Sequence, residues 1–251
     1  MLKKIALATA LLASLGTAHA YQAELGGTIA IIDPDNGDTS TGFGVDGTYY
    51  FDSVHLKNDP YNEAAFLNRA SNLNASLSYV DYDGYENTTL NAGIEYFVPN
   101  SDFYISGNLG QMSEETEGFE DFDTTLYSAE LGYLPVPGLL LAVGLAGYDN
   151  DMDDGIDPTV RAKYVTRVGQ YDMNFEAGAN FGDLDAYTLG TDVYLDNTFS
   201  LGLGFADSDV KDSNVFSIRT KKFLNQQVSL EGSIHFADAG NVFAVRGAYR
   251  F

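Results

Sequence analysis

The chain has 251 residues, no cysteine, and 36 acidic against 13 basic side chains, which gives a formal net charge of −23. This charge excludes a nucleic-acid partner and a polybasic membrane-surface protein, because both need a basic face. Without cysteine the fold has no disulfide, and thiol catalysis and cysteine metal sites are excluded.

Residues 1–20 have the three parts of a secretory signal peptide. Lys3 and Lys4 form the positive start, residues 5–15 are an apolar run, and Ala18-His19-Ala20 is a small-x-small cleavage site. The run is shorter than the about 20 apolar residues that a membrane-spanning helix needs. We therefore expect an exported protein whose mature domain covers residues 21–251.

Fourteen later segments alternate between apolar residues and small or polar ones with a period of two, which indicates strands between two different media. In the last segment Phe251, Tyr249 and Gly247 take one face, and Arg250 and Ala248 take the other. Such a segment is typical of the closing strand of an outer-membrane β-barrel. The segments cover residues 23–31, 43–51, 73–79, 90–96, 103–109, 127–133, 139–148, 160–167, 172–181, 187–193, 199–205, 216–221, 228–236 and 243–251.

We therefore predict an all-β fold, a transmembrane antiparallel up-and-down barrel of fourteen strands, with twelve as the alternative count. Apolar residues face lipid in this fold, and the alternating set faces the lumen. The rival fold is a soluble β-sandwich or barrel with aromatic residues in its core. A soluble chain of this length should have several edge strands broken by charge or proline, and the fourteen segments include no obvious edge. Segment 139–148 alternates least clearly, because Leu140 falls on the lumen face.

The connections between segments alternate between two kinds. Five are short, such as residues 99–101, and the other kind is mostly longer and acidic. The acidic connections cover residues 33–40, 81–87, 113–123, 149–157 and 207–213. Short periplasmic turns and longer external loops are usual in bacterial barrels, and an even strand number places both termini on the periplasmic side.

One connection on the turn side breaks this rule, because residues 52–70 are far longer than a turn. Asp59 is a candidate N-cap, Pro60 a first helical residue, and Glu63 to Leu67 a short helix. Two interpretations stay open for this segment: an ordered periplasmic turn, or a small plug inside the barrel.

The same region resembles a known family. Residues 47–51 (Gly-Thr-Tyr-Tyr-Phe) and 63–68 (Glu-Ala-Ala-Phe-Leu-Asn) are similar to the small outer-membrane general porin family of gammaproteobacteria. Tyr21-Gln22, residues 161–164 and Arg250-Phe251 are similar as well. The resemblance covers the mature chain and implies a passive outer-membrane channel of about fourteen strands, without catalytic residues. The external loops are shorter than this family leads us to expect, so loop-mediated gating does not follow.

The lumen is the predicted functional surface. Its predicted acids are Glu24, Asp46, Glu95, Glu130, Asp172, Glu176, Asp192 and Glu231, and its predicted bases are Arg161, Lys163, Arg167, Arg219, Lys221, Arg246 and Arg250. No Lys or Arg lies between Ala70 and Val160. We therefore expect one acidic or neutral wall, one basic wall, and a transverse field that sets ion selectivity. The alternative is a salt-bridged filling with no open path.

The predicted function is a passive diffusion channel for small hydrophilic solutes or ions that favours cations. The alternatives are a plugged structural or surface-interaction barrel and an outer-membrane enzyme. His235 shares the lumen face with Ser233 and Glu231, but residues two apart on a strand are about 7 Å apart, beyond a nucleophile–base hydrogen bond. We predict no enzyme activity.

The acidic loops predict a diffuse cation cloud and no specific metal site or cofactor. Residues 149–153 have Asp-x-Asp-x-Asp spacing, but an EF-hand loop would need Gly at Asp154 and Glu near Val160. Such a cloud would favour cation entry and bridge lipopolysaccharide. The predicted partners are outer-membrane lipid and lipopolysaccharide, small solutes or ions, and the barrel assembly machinery through the C-terminal strand. No strand has an obviously altered outer face, which favours a monomer.

Overall fold

The computed structural model describes residues 20–82, 85–116, 118, 121–183, 185–211 and 213–251. The proposed signal sequence before Ala20 lies outside this range, as do residues 117 and 120 of one acidic loop. The strands are β1 Ala20–Pro34, β2 Ser40–His55, β3 Asn72–Tyr82, β4 Tyr85–Phe97, β5 Phe103–Thr116, β6 Phe122–Val136, β7 Leu139–Asn150, β8 Asp154–Val168, β9 Tyr171–Asn180, β10 Ala186–Asp196, β11 Phe199–Ser208, β12 Val215–Phe223, β13 Val228–Ala237 and β14 Gly240–Arg250.

The fourteen strands form one closed barrel in which each strand pairs antiparallel with its neighbours in sequence. Strand β14 closes the barrel against β1, in a register that runs from Glu24 opposite Arg250 to Pro34 opposite Gly240. The Phe251 carbonyl extends this seam by accepting hydrogen bonds from the backbone N–H groups of Gln22 and Ala23. The predicted fold and the count of fourteen are therefore confirmed.

The outer face of the barrel is apolar along every strand. Ile29, Leu109 and Val143 are 58%, 60% and 61% exposed, although they lie in the middle of their strands. Their sequence neighbours point inward, as the period of two requires. Aromatic residues lie near both ends of this surface, among them Phe103 and Tyr133, whose rings pack 5.7 Å apart. An apolar band of this kind is stable in contact with lipid and unstable in contact with water.

The connections at the two ends of the barrel differ, and we call these ends the turn end and the loop end. Strand β5 extends to Thr116, and β8 begins at Asp154, so the acidic connections are shorter than the alternation predicts. The reason is that strands beyond the lipid band need no apolar face to continue their hydrogen-bond ladder. None of the helices in the described part of the chain has the length and hydrophobicity to span a bilayer.

The long connection at the turn end folds into the barrel, and we call residues 56–71 the inserted segment. It contains a 3-10 turn, Tyr61–Glu63, and the short helix α1, Ala64–Leu67. The residue that directly precedes the 3-10 turn is Pro60, and no side-chain hydrogen bond caps this turn. The prediction of Asp59 as the N-cap residue is therefore wrong. Ala64 is 1% exposed and packs with Tyr21, Tyr50 and Val54 of the barrel wall.

Apolar residues face the lumen where the inserted segment packs. Phe97, Tyr104, Leu134 and Leu140 form a buried cluster against Phe66 of α1. This cluster explains the weak alternation of β7, because Leu140 points inward to cover the segment and is 1% exposed. The turn end of the lumen thus has a small hydrophobic core.

Candidate functional site

The charged side chains predicted for the lumen meet one another inside the barrel. Within the part of the chain that the structure describes, all of them except Arg167 and Asp172 bond to another lumen side chain. These two lie at the turn end, where they line a cavity of about 330 Å³ with Pro60 and Phe66. The Arg167 guanidinium lies 3.5 Å from the carbonyl oxygen of Gln170 in the adjacent turn.

Arg246 on β14 is the centre of the first charged cluster. Its guanidinium bonds to Asp46 at 2.5 and 2.8 Å, to Glu231 at 2.5 Å and to Glu24 at 3.0 Å. Lys221 lies 2.8 Å from Glu231, and Arg250 lies 2.6 Å from Glu24. Strands β1, β2, β12, β13 and β14 are therefore joined by one network of ion pairs.

A second cluster joins the inserted segment to the opposite side of the barrel. Lys163 Nζ lies 2.8 Å from Glu63 of the segment and 2.8 Å from Glu176 of β9. The Tyr194 hydroxyl donates to Glu63 at 2.5 Å, and Glu63 is only 2% exposed. Because a carboxylate buried to this degree needs charged and hydrogen-bonded partners, this cluster fixes the segment in the lumen.

Two further pairs lie on the wall of the barrel. Arg161 makes a bidentate contact with Glu130, the shortest distance being 2.6 Å. Arg219 does the same with Asp192, at 2.7 and 2.8 Å. Bidentate pairs hold both side chains in fixed orientations.

These pairs do not form the separate acidic and basic walls expected from the sequence. Apart from Arg167, the predicted bases on β8, β12 and β14 contact acids on nearby strands or on the inserted segment, so most charges are compensated locally. The physical reason is that strands next to each other bring opposite charges within a few ångströms, where pairing is stronger than a field across the lumen. At its turn end, the lumen resembles the salt-bridged filling that the sequence analysis gave as the alternative.

Glu95 on β4 differs from the other lumen acids. It accepts hydrogen bonds from the Tyr104 hydroxyl at 2.7 Å and from Asn72 Nδ2 at 2.8 Å. No described Lys or Arg pairs with it within salt-bridge distance. The nearest guanidinium contact is indirect, through Tyr104, whose hydroxyl lies 3.4 Å from Arg161.

The inserted segment is also anchored by its backbone. The Tyr61 N–H donates to the Asn197 carbonyl at 2.8 Å, and the Tyr61 carbonyl accepts from Arg250 at 3.0 Å. Arg69 bonds to Asp102 in the next turn at 3.0 Å. The sequence analysis did not assign Glu63 to the lumen. The feature that could have indicated this position is an acidic residue directly before the apolar residues of α1.

Two cavities lie in the lumen around the inserted segment. One of about 430 Å³ is lined by Glu63, Glu95 and Arg161 among others, and one of about 320 Å³ by Arg219, His235 and Arg246. Asn62 of the inserted segment borders both cavities. The segment thus divides the polar interior into two parts.

The lumen face of β13 does contain a Ser–His contact. His235 Nε2 lies 3.1 Å from Ser233 Oγ, so the expectation that these side chains are too far apart is wrong. The imidazole bends along the strand and reaches further than the Cα spacing indicates. Glu231, however, pairs with Lys221 and Arg246 and is not the acid of a triad. In the ranges that the structure covers, no group of three or more His, Asp or Glu residues is placed to hold a metal ion.

Comparisons with known proteins agree with this architecture. The family model described as "Putative general bacterial porin" matches residues 1–155. The crystal structure of the Acinetobacter baumannii outer membrane protein Omp33 is similar over 94% of this chain and 100% of that one, with 26% identity and a TM-score of 0.75. A TodX deletion mutant, a monoaromatic hydrocarbon channel, shares the fold over 93% of this chain and 91% of its own, with 9% identity and a TM-score of 0.57. No curated protein matches the sequence.

Proposed function

The chain belongs to the general bacterial porin family, and we propose that its barrel is a passive channel for small hydrophilic solutes and ions that favours cations. The observation that carries this proposal is a closed barrel with an apolar outside and a charged interior containing cavities of about 430 and 320 Å³. Family and fold imply a channel rather than an enzyme. Charged lumen groups act on a permeating ion because it loses part of its hydration shell there.

The inserted segment is the constriction of the proposed channel. It lies between the two lumen cavities, and Glu63 anchors it to β8 and β10. Solutes would pass beside the segment or during its displacement, which predicts low conductance. Permanent seating of the segment is the structural basis of the rival proposal, a plugged barrel.

The preference for cations rests on the charge of the lumen and of the loop end. The inserted segment adds the acid Glu63 to a predicted set in which acids already outnumber bases. The connections at the loop end are strongly acidic, as in residues 149–154. A mouth lined by one sign of charge raises the local concentration of counter-ions.

We propose the following setting for this channel. Residues 1–20 are removed as a signal peptide, and the mature barrel lies in the outer membrane as a monomer, with its turn end in the periplasm. The barrel assembly machinery recognises β14, and the acidic loops contact lipopolysaccharide through a diffuse cation cloud. N-terminal sequencing of the protein from outer membranes tests the cleavage site and the location together.

Electrical recording from the purified protein in planar bilayers tests the channel. We expect small conductance steps and a reversal potential on the cation side in a salt gradient. Swelling of liposomes in sugars or amino acids then gives the size of the solutes. Absence of both conductance and swelling from folded, inserted protein would refute the channel and favour the plugged barrel. Lipase or protease turnover would instead favour an enzyme.

A further inference from the structure

The wall formed by β3, β4 and β5 has no basic residue, and its lumen carboxylate Glu95 has no ion pair among the described residues. Both oxygens of Glu95 accept one neutral hydrogen bond each, from Tyr104 and Asn72. A carboxylate offers about four lone-pair positions. Glu95 therefore retains acceptor capacity for a donor that comes from the lumen.

Two amide oxygens lie close to Glu95 on the same wall. Gly93 pairs in register with Asn74 on one side and with Asn108 on the other. Asn74 Nδ2 donates to Asn72 Oδ1, and Asn108 Nδ2 donates to Ser128 Oγ, both at 3.3 Å. Both Oδ1 atoms consequently turn toward the inner face of Gly93.

Gly93 makes this arrangement possible because it has no side chain. A methyl group at this position would overlap Oδ1 of Asn108 and of Asn74. Gly93 and Glu95 lie two residues apart on one face of β4, which corresponds to about 7 Å. The wall thus presents a carboxylate and two carbonyl oxygens within the reach of one small molecule.

The cavity in front of Glu95 is suited to a cation. Its volume of about 430 Å³ is that of a small-molecule site. Lys163 in this cavity is already shared by Glu63 and Glu176, and Arg161 is held by Glu130. The charges around the cavity therefore sum to a negative value, and Glu95 is the carboxylate there that has no ion pair among the described residues.

We propose that Glu95, Asn74 and Asn108 form a binding site for the ammonium group of small organic cations. An ammonium group has three N–H donors, and the wall offers three separate acceptors. A metal ion fits less well, because hard cations take six or more oxygen ligands or retain several waters. The aromatic rings of Tyr50 and Phe97 line the same cavity and would contact the alkyl part of such a ligand. The route to this site rests on the proposed channel function, but binding itself does not require conduction.

Isothermal titration of the full-length barrel in detergent with 1,4-diaminobutane tests this proposal, with 1,4-butanediol as the uncharged probe. We expect the diamine to bind, the diol not to bind, and Glu95→Gln to weaken the diamine by about tenfold or more, because a charge-assisted hydrogen bond becomes a neutral one. Glu86→Gln is the matched control. It removes the same charge from β4, but Glu86 is exposed at the loop end and bonds only to Tyr79 among the described contacts.

Gly93→Ala provides a second test that leaves the Glu95 charge in place. Its methyl group displaces the two amide oxygens, so binding should weaken although the lumen charge is unchanged. A gel mobility of the unheated protein that differs from that of the heated protein verifies that each variant is folded. Equal diamine affinity in the wild type and Glu95→Gln, or no diamine binding by the wild type, would overturn the site. Binding without conductance would instead refute the channel alone, and conductance without binding would refute the site alone.

Discussion

Replacing Glu63 by Gln should open the channel by unseating the inserted segment. Glu63 loses its charge in this variant and therefore its ion pair with Lys163, which measures 2.8 Å. A hydrogen bond between charged groups contributes about 1.5–3 kcal/mol. Since every 1.4 kcal/mol is about tenfold in an equilibrium constant, the unseated population should rise about 10- to 100-fold.

The size of the lumen determines how large the resulting openings are. Fourteen strands about 4.8 Å apart and tilted by about 40° enclose a backbone cylinder with a radius of about 14 Å. A helix with its side chains is about 10 Å across. The side chains of the barrel wall fill part of this cylinder, and α1 with the adjoining turn fills much of the remaining space. Unseating should therefore appear as a distinct, larger conductance level.

Single-channel recording with a matched control variant checks this prediction. Glu176→Gln removes the same charge from the same lysine, at the same distance of 2.8 Å, but Glu176 belongs to the wall strand β9. Both variants change the electrostatics of the lumen alike, and only Glu63→Gln releases the segment. If the two variants show the same occupancy of the large level, or if neither differs from the wild type, the inserted segment is not held by this contact.

Three other predictions concern the stability and selectivity of the barrel. Arg246→Ala leaves three carboxylates without their shared partner and should cost about 3–5 kcal/mol, measured by urea unfolding in lipid. Leu140→Ala should cost about 2–5 kcal/mol, because Leu140 is 1% exposed, while Leu141→Ala on the lipid face (47% exposed) should cost much less in the same assay; equal losses would contradict the internal cluster. The double variant Arg161→Ala, Arg167→Ala should move the reversal potential toward the value for a purely cation-selective channel, because Glu130 loses its partner. The shift should become smaller as salt is raised from about 0.01 to 1 M, because the Debye length falls from about 30 to 3 Å over this range. An unchanged reversal potential at low salt would exclude a role for these arginines in selectivity.

The strands were predictable from sequence because lipid imposes a simple rule on them. Each outward residue must be apolar whatever its partner, so the period of two was readable one strand at a time, and the count of fourteen followed. Leu140 broke the rule for a reason that no single strand reveals. It faces inward to contact Phe66, a residue distant in sequence, and only the folded barrel brings these two together.

The arrangement of the lumen charges was less predictable for the same reason. The alternation of β14 predicts that Arg246 faces the lumen. Its ion pairs with Glu24, Asp46 and Glu231, however, depend on strand register and on the length of the side chains across the closing seam. Glu63 was not among the predicted lumen residues, because it lies outside the strands and alternation therefore gives no orientation for its side chain. The contact of His235 with Ser233 was missed because Cα spacing does not describe where a long side chain ends.

The contact between Arg250 and the Tyr61 carbonyl has a consequence for the order of assembly. These residues are separated by 189 positions, and Arg250 reaches its place only when β14 has paired with β1. Contacts so distant along the chain form late, because loop-closure entropy must be overcome first. The bond from Arg250 to the inserted segment is therefore among the last contacts to form, after the seam between β1 and β14 is complete.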